Sequence, residues 1–236
     1  MESNLGLYFI FIILEGVLFV SDYTVRYFGS IERDSDYEPK VQLESSFADA
    51  IGNLVFEVNE DFIPPLSYRK GAFGAVSFKD ADKNKKLVGI NEYASIMLSQ
   101  KNIIVTAAND EVVAFMSFRH DYEQRDYLPQ DVRAEDKVNY ITTIAVSPDW
   151  QGKGICSNMY DYMEKMLPES VHANVVATRT WPQNQGHIKI LERRKYHLVC
   201  TLHGEREFEG TLYDTIYYSK RVVRKQKSPR RAYYGL

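Results

Sequence analysis

Residues 147–157, Ser-Pro-Asp-Trp-Gln-Gly-Lys-Gly-Ile-Cys-Ser, join two unlike segments. Before them runs a β-branched and aromatic stretch, 138–146, that reads as a strand. After them Ile155, Met159, Tyr162, Met163 and Met166 recur at the spacing of one helical face. A strand-to-helix turn with two glycines astride a lysine suits an anion. The first turn of a helix carries unpaired N–H groups and partial positive charge. Glycines let that backbone approach a ligand closely, and Lys153 adds a cation. The chemistry implied is the holding of a phosphate or diphosphate. Two other phosphate motifs fit poorly. The dinucleotide fingerprint G-x-G-x-x-G needs Gly or Ala at 157, where Ser157 stands. The spacing G-x-x-x-x-G-K-[ST] is absent from this turn.

The other residue types that do chemistry are more dispersed. Glu123, Asp126, Glu135 and Asp136 lie in a long charged loop and are candidate bases, with solvated surface acids as the plainer reading. Thr142, Thr143, Thr178 and Thr180 fall on two strands, where threonine is also simply a good strand former. Cys156 opens the helix, a place that lowers a thiol's pKa. No histidine lies near it in sequence, and a packing role is the expectation. Cys156 and Cys200 make no disulfide framework, and no Cys/His cluster has metal-site spacing. No metal is expected, and a reducing cytoplasm is the natural setting.

The elements that must position these groups follow from periodicity. Leu43, Phe47, Ile51, Leu54 and Val55 predict a helix that ends at the Pro64-Pro65 pair. Residues 70–79 suggest a short strand and 91–100 a helix. Residues 102–120 read as a hairpin turning at Asn109-Asp110. A strand over 174–181, a short helix over 185–195 and a closing hairpin complete the chain. This order implies a mixed sheet with helices packed on it, an α+β layer architecture.

Charge is uneven. Residues 220–236 hold seven Lys/Arg and no acid; with a net charge of −3, the remainder sums to −10, since −3 − 7 = −10. An acidic body favours cationic acceptors such as amines. The basic tail reads as a solvated end, and no nucleic-acid partner is expected. The apolar run Leu5–Val20 is short for a membrane span and is interrupted by Glu15. It lacks the basic flank of a signal peptide. A buried first strand or helix, or an apolar arm docked on the body, is expected there, with no stable membrane span.

The turn resembles the pyrophosphate-arm signature Q/R-x-x-G-x-G/A of the GNAT superfamily of N-acetyltransferases, read here as Gln151-Gly152-Lys153-Gly154-Ile155-Cys156 with Cys156 in the last small place. Residues 184–196 resemble the family's second segment, N-x-x-A-I-x-L-Y-E-K-x-G-F, through Asn184, Ile188, Ile190, Glu192, Arg193 and Tyr196. The resemblance is best supported over 85–221. It implies an acetyltransferase domain over 41–221, an N-terminal segment over 1–40 and a basic tail over 222–236. It also implies the GNAT fold, a mostly antiparallel twisted sheet splayed at its centre and flanked by helices.

The resemblance further implies transfer of an acetyl group from acetyl-CoA to a primary amine of a small molecule or peptide, by direct attack in a ternary complex. Backbone groups around Ile144, Ala145 and Val146 would pair with the pantetheine arm. The amides of Gly152–Ser157 would take the phosphates. Asn184 would contact the arm from the far side or serve as a helix N-cap. The family's usual tyrosine acid is replaced by Leu191, and its alanine by His187, which would face the cofactor or solvent, solvent being the expectation. Arg193 and Arg194 would help hold the cofactor's outer phosphate or lie on a charged helix face, and the charged face is the expectation. Leu191 also supports a second reading, a non-catalytic acyl-CoA-binding module. Catalytic residues are left unassigned, and homodimerisation stays open.

Overall fold

The computed structural model describes residues 12–14, 17–20, 22–29, 45–70, 82–99, 102–123, 128 and 132–223. Its nine described strands form one sheet in the order β1-β2-β3-β4-β5-β6-β7-β9-β8. They are β1 (Ile12–Leu14), β2 (Val17–Val20), β3 (Tyr23–Gly29), β4 (Asn102–Ala108), β5 (Glu111–Arg119), β6 (Val138–Val146), β7 (Val175–Thr180), β8 (His197–Phe208) and β9 (Thr211–Arg221). Neighbours are antiparallel except β6 and β7, which run parallel. Four helices accompany them: α1 (Ser45–Val58), α2 (Lys83–Ser99), α3 (Ile155–Lys165) and α4 (Gln185–Arg193).

The described part of the apolar N-terminal run is strand. β1 and β2 pair with each other, β2 pairs with β3, and β3 pairs with β4. No described helix is long and apolar enough to cross a membrane. The strand expected at 70–79 falls almost wholly outside the described residues. The β4–β5 hairpin turns at Asn109 and Asp110 with φ of 50° and 64°, as a two-residue turn between right-twisted strands requires.

Among the described residues three apolar clusters cover the two faces, the two larger of them packing the helices on the sheet. On one, Ile155, Met159, Tyr162 and Met163 of α3 and Ile188 and Leu191 of α4 pack on Ile104, Met116, Ile141, Val176 and Tyr218. On the other, Ile51, Leu54, Val55 and Val58 of α1 and Ile90, Tyr93 and Ala94 of α2 pack on Ile103, Val105, Phe115 and Ala145. These sets follow helical and strand alternation, so each strand divides its side chains between the two layers.

The segment after α1 is held tightly. The Asn59 side chain accepts the Ser67 N–H at 2.8 Å. A Cβ on Gly89 would lie 2.7 Å from the Ser67 carbonyl oxygen, so only glycine lets α2 approach the turn at 66–70. That turn carries Arg69 to the site described next.

Candidate functional site

β6 and β7 pair only from Val138↔Val175 to Ile141↔Thr178. β6 continues to Val146 against β5, and β7 continues to Thr180 against β9. The two strands therefore part beyond Ile141. A bulge marks the place: Ser117 faces Thr143 and Phe118 faces Ile141, leaving Thr142 as the extra residue. Such a bulge bends its strand and increases the local twist. The Thr142 hydroxyl pins it, lying 3.1 Å from the Ser117 carbonyl and 2.8 Å from the Ser117 hydroxyl.

The gap leaves backbone groups free on one side of β6. Ser147 donates its N–H to Val113 on β5. By alternation, the N–H and C=O of Ile144 and Val146 face the parted side. Gln151 reaches back to donate its amide to the Val146 carbonyl at 3.4 Å. Beyond it the chain passes Gly152 at φ 75° and reaches Gly154, the N-cap of α3, at φ 80°. Both values are left-handed and suit glycine. No side chain caps α3. Its first N–H groups are the donors that a helix cannot satisfy internally.

The gap and the helix terminus open into one cleft of about 750 Å³, a volume within the usual range for small-molecule sites. Of the residues expected from sequence, Ile144, Ala145, Val146, Gln151, Gly152, Gly154, Ile155, Cys156, Ser157 and Asn184 line it. Lys153 does not; its ammonium lies over the Trp150 ring, 4.2 Å from the centroid. Asn184 is both cleft wall and N-cap, its side chain accepting the His187 N–H at 3.3 Å. Cys156 packs against the core under α3, and burial pushes its thiol up to about 12, which keeps it neutral near pH 7.

Two expectations about α4 are corrected. His187 faces the cleft, not solvent, with Nε2 2.8 Å from the Tyr160 hydroxyl. Burial lowers its pKa to about 4, which keeps the ring neutral near pH 7. Arg194 is not on an exposed helix face. Its side chain is 12% exposed and donates to Glu164 at 3.0 Å, to Asp161 at 2.9 Å and to the Ser157 carbonyl at 3.1 Å. Glu164 also accepts from Lys220 at 2.6 Å and from Tyr196 at 3.3 Å. This buried cluster ties α3, the end of α4 and β9 together beside the helix-terminus end of the cleft. Arg193, by contrast, is exposed and lines the cleft.

Leu191 is fully buried in the core under α4 and is not part of the cleft wall. No tyrosine lines the cleft among the described residues. Of the loop acids, Asp136 is buried and held by Arg221 at 2.8 and 3.1 Å and by the Arg133 N–H at 2.9 Å. The hydrogen bonds from Arg221 hold its carboxyl down at about 2. Glu135 is exposed beside Arg133, Glu123 is exposed, and Asp126 lies outside the described residues. None of the four lines the cleft. The one carboxylate that does, among the described residues, is Asp61.

Sequence reasoning missed the opposite wall. Arg69, Arg179, Arg206, Phe62, Trp181 and Thr215 all line the cleft. Phe62 and Trp181 meet with ring centroids 5.7 Å apart, and the Arg69 guanidinium lies 5.2 Å from the Phe62 centroid. The hydroxyls of Thr180 and Thr215 are buried with no hydrogen-bond partner, both on the cleft wall. Both hydroxyls are placed to hydrogen-bond a ligand in the cleft.

A family model described as the acetyltransferase (GNAT) family matches residues 72–196. No curated protein sequence matches the chain. Solved structures do. An acetyltransferase from Salmonella typhimurium that modifies the N-terminal serine of ribosomal protein L7/L12 is 13% identical, with a TM-score of 0.54, over 86% of this chain and 96% of its own. The ribosomal-protein-S5-alanine acetyltransferase from Vibrio fischeri is 13% identical, with a TM-score of 0.53, over 87% and 96%. The microcin C7 self-immunity acetyltransferase MccE, solved with acetyl-CoA and AMP, is 15% identical, with a TM-score of 0.52, over 86% and 93%. At these identities the likeness is one of fold.

Proposed function

The chain belongs to the GNAT acetyltransferase family, whose model spans more than half of it, and from that premise we propose that it transfers an acetyl group from acetyl-CoA to a primary amine by direct attack. The observation that carries this reading is the shared cleft: an uncapped helix terminus and a parted strand edge open into the same space. The terminus offers N–H donors and positive potential to a diphosphate. The edge of β6 at Ile144 and Val146 offers the backbone pairing that an amide-bearing arm requires, as an added strand does. The buried hydroxyl of Thr180 lies along the same wall and lacks a partner.

When bound, acetyl-CoA supplies an activated acyl group; the chain supplies position, charge and proton routes. Backbone N–H groups beside the bulge at Thr142 are the donors suited to charge developing on the acyl oxygen. An amine attacks only when neutral, whereas a lysine-like amine has a pKa near 10 in water, so a proton must leave it. Asp61 is the acceptor available on the wall, through water. With Leu191 buried and no described tyrosine on the wall, water returns the proton to the departing thiolate. His187 is neutral and holds the Tyr160 hydroxyl, a positioning role at the base of α4.

The test is thiol release from acetyl-CoA over a panel of amino acids, amines, polyamines and peptide N-termini, with CoA affinity measured in parallel by calorimetry. Turnover that depends on the amine supports the transferase. Tight CoA binding with no turnover on any amine supports the binding-module reading that Leu191 suggested.

A further inference from the structure

We propose that the acceptor side of the cleft is an anion receptor, so that the amine acetylated here carries a carboxylate or phosphate gripped by Arg206 together with Arg69 and Arg179. The inference rests on the acetyl-transfer reading of the cleft and names the substrate class it admits.

Strand alternation separates the two ends of the cleft. Val176 belongs to the core under α3 and α4, whereas Val175 and Ala177 face the opposite layer. Thr178 and Thr180 follow Val176, and Arg179 follows Val175 and Ala177. Arg179 pairs with Tyr217, and Arg206 pairs with Tyr213 two steps of alternation away on β9, so both guanidiniums share the face away from the phosphate cradle. Thr215 lies between those tyrosines on the same face, and its buried hydroxyl has no partner.

The arrangement is built. β8 carries extra residues between Leu202 and Arg206, with Gly204 at φ 62°. Asp214 fastens this bulge by accepting the Gly204 N–H at 3.0 Å and facing His203 Nδ1 at 2.8 Å. Bulges of this kind re-aim side chains beside functional sites. The turn at 66–70 docks on the same strand, with Tyr68 edge-on to Phe208 at 4.9 Å. That contact sets Arg69 beside Arg206.

Charge is unbalanced. Arg179 donates to the Tyr217 hydroxyl at 3.0 Å and lies 3.6 Å from Glu205; Arg69 donates to the Pro64 carbonyl at 3.1 Å. Arg206 has no hydrogen bond or ion pair among the described residues. Burial, and then the charges of Arg179 and Arg69, press its pKa down to about 10. Arg206 thus sits among the charges of Arg179 and Arg69, with one carboxylate, Glu205, paired to Arg179, in a partly desolvated wall. Three cations sharing one carboxylate oppose folding, and the arrangement makes sense when a further anion is bound. Guanidinium forks suit carboxylates and phosphates. The acidic surface of the body, which argues for a cationic acceptor, does not extend into the cleft: its wall carries five arginines and Asp61.

The experiment uses matched amines with the protein saturated in acetyl-CoA: α-amino acids against their carboxamides for the carboxylate arm, and phosphoethanolamine against ethanolamine for the phosphate arm. The expected result is a kcat/KM ratio of about tenfold or more in favour of the anionic member of one pair, reduced by about tenfold in Arg206→Gln, with CoA affinity checking that the variant is folded. A second readout needs no acceptor. With CoA filling the phosphate cradle, inorganic phosphate is titrated against the Nε–H NMR signals of arginine. A saturable shift assigned to Arg206 and lost in Arg206→Gln supports the receptor. Neutral or cationic amines turned over as well as anionic ones, or an Arg206 signal indifferent to phosphate, overturn it. Failure of CoA to bind at all instead removes the acetyl-transfer reading, and the NMR titration of the CoA-free protein then still reports on the arginines.

Discussion

Replacing Gly154 with alanine tests the anion cradle where its backbone is hardest to replace. Gly154 caps α3 at φ 80°, ψ 0°, and a Cβ built on it would meet nothing within 4 Å. A steric clash with the rest of the chain therefore contributes nothing, and two effects remain. The left-handed conformation costs a residue with a Cβ about 1–2 kcal/mol, which urea denaturation reads as lost stability. The second effect concerns the ligand. The open space that the methyl enters lies in front of the first N–H groups of α3, where the diphosphate is proposed to sit. Losing one hydrogen bond to a charged group costs about 1.5–3 kcal/mol, or about 10- to 150-fold in Kd. Calorimetry with CoA and with pantetheine, which lacks the diphosphate, separates binding at the cradle from binding along the strand edge. CoA affinity should fall by that factor while pantetheine affinity holds. A CoA affinity within about twofold of wild type would refute the cradle, because that change is too small for even one charged hydrogen bond. An equal loss for both ligands would refute it too, by placing the damage in the arm's channel.

Leu191→Tyr would restore the family's usual residue, yet the side chain would enter a full core and not the cleft. It should lower stability by about 1–3 kcal/mol through overpacking, with no gain in kcat; a rise in thiol release would show that position 191 reaches the reacting group after all. Asp136→Asn should remove a pH-dependent part of stability. The carboxyl is held near 2 by Arg221 and the Arg133 N–H, below its ordinary 3.8. A depressed pKa stabilises the fold fully above the unfolded value and is lost as pH falls through the folded one. The difference in melting temperature between wild type and variant should thus shrink from pH 5 towards pH 2, and a difference constant over that range would contradict the assignment.

The half of the cleft proposed to take the cofactor was legible in sequence because it is local. Gln151–Ser157 are consecutive, their glycines answer a backbone need, and the apolar stripe from Ile155 to Met163 is buried as its spacing required. Asn184 was legible for the same reason, as a helix start three residues before the N–H it caps. Lys153 shows where the local argument stops. Its charge looked like part of the cradle, but a neighbouring aromatic face offers the ammonium a competing position. His187 and Arg194 were misplaced because a helical residue's partner lies on another element. The Tyr160 hydroxyl and the Glu164–Asp161 pair come from α3, and nothing within 184–196 announces them.

The wall proposed to take the acceptor was illegible for a stronger reason. Arg69, Arg179 and Arg206 come from a turn after α1, the end of β7 and the edge of a bulge in β8. Each alone reads as an ordinary surface charge, and the net charge of the chain argues in the opposite direction. What brings them together is a set of contacts that sequence spacing does not encode: Gly89 admitting the turn at 66–70, Tyr68 meeting Phe208, and Asp214 holding the β8 bulge. Whole-chain charge governs long-range attraction, but over a few ångströms in a partly desolvated cleft the nearest groups dominate. A protein can therefore present an acidic surface and still select an anionic acceptor, provided the fold gathers its cations where the acyl group is delivered.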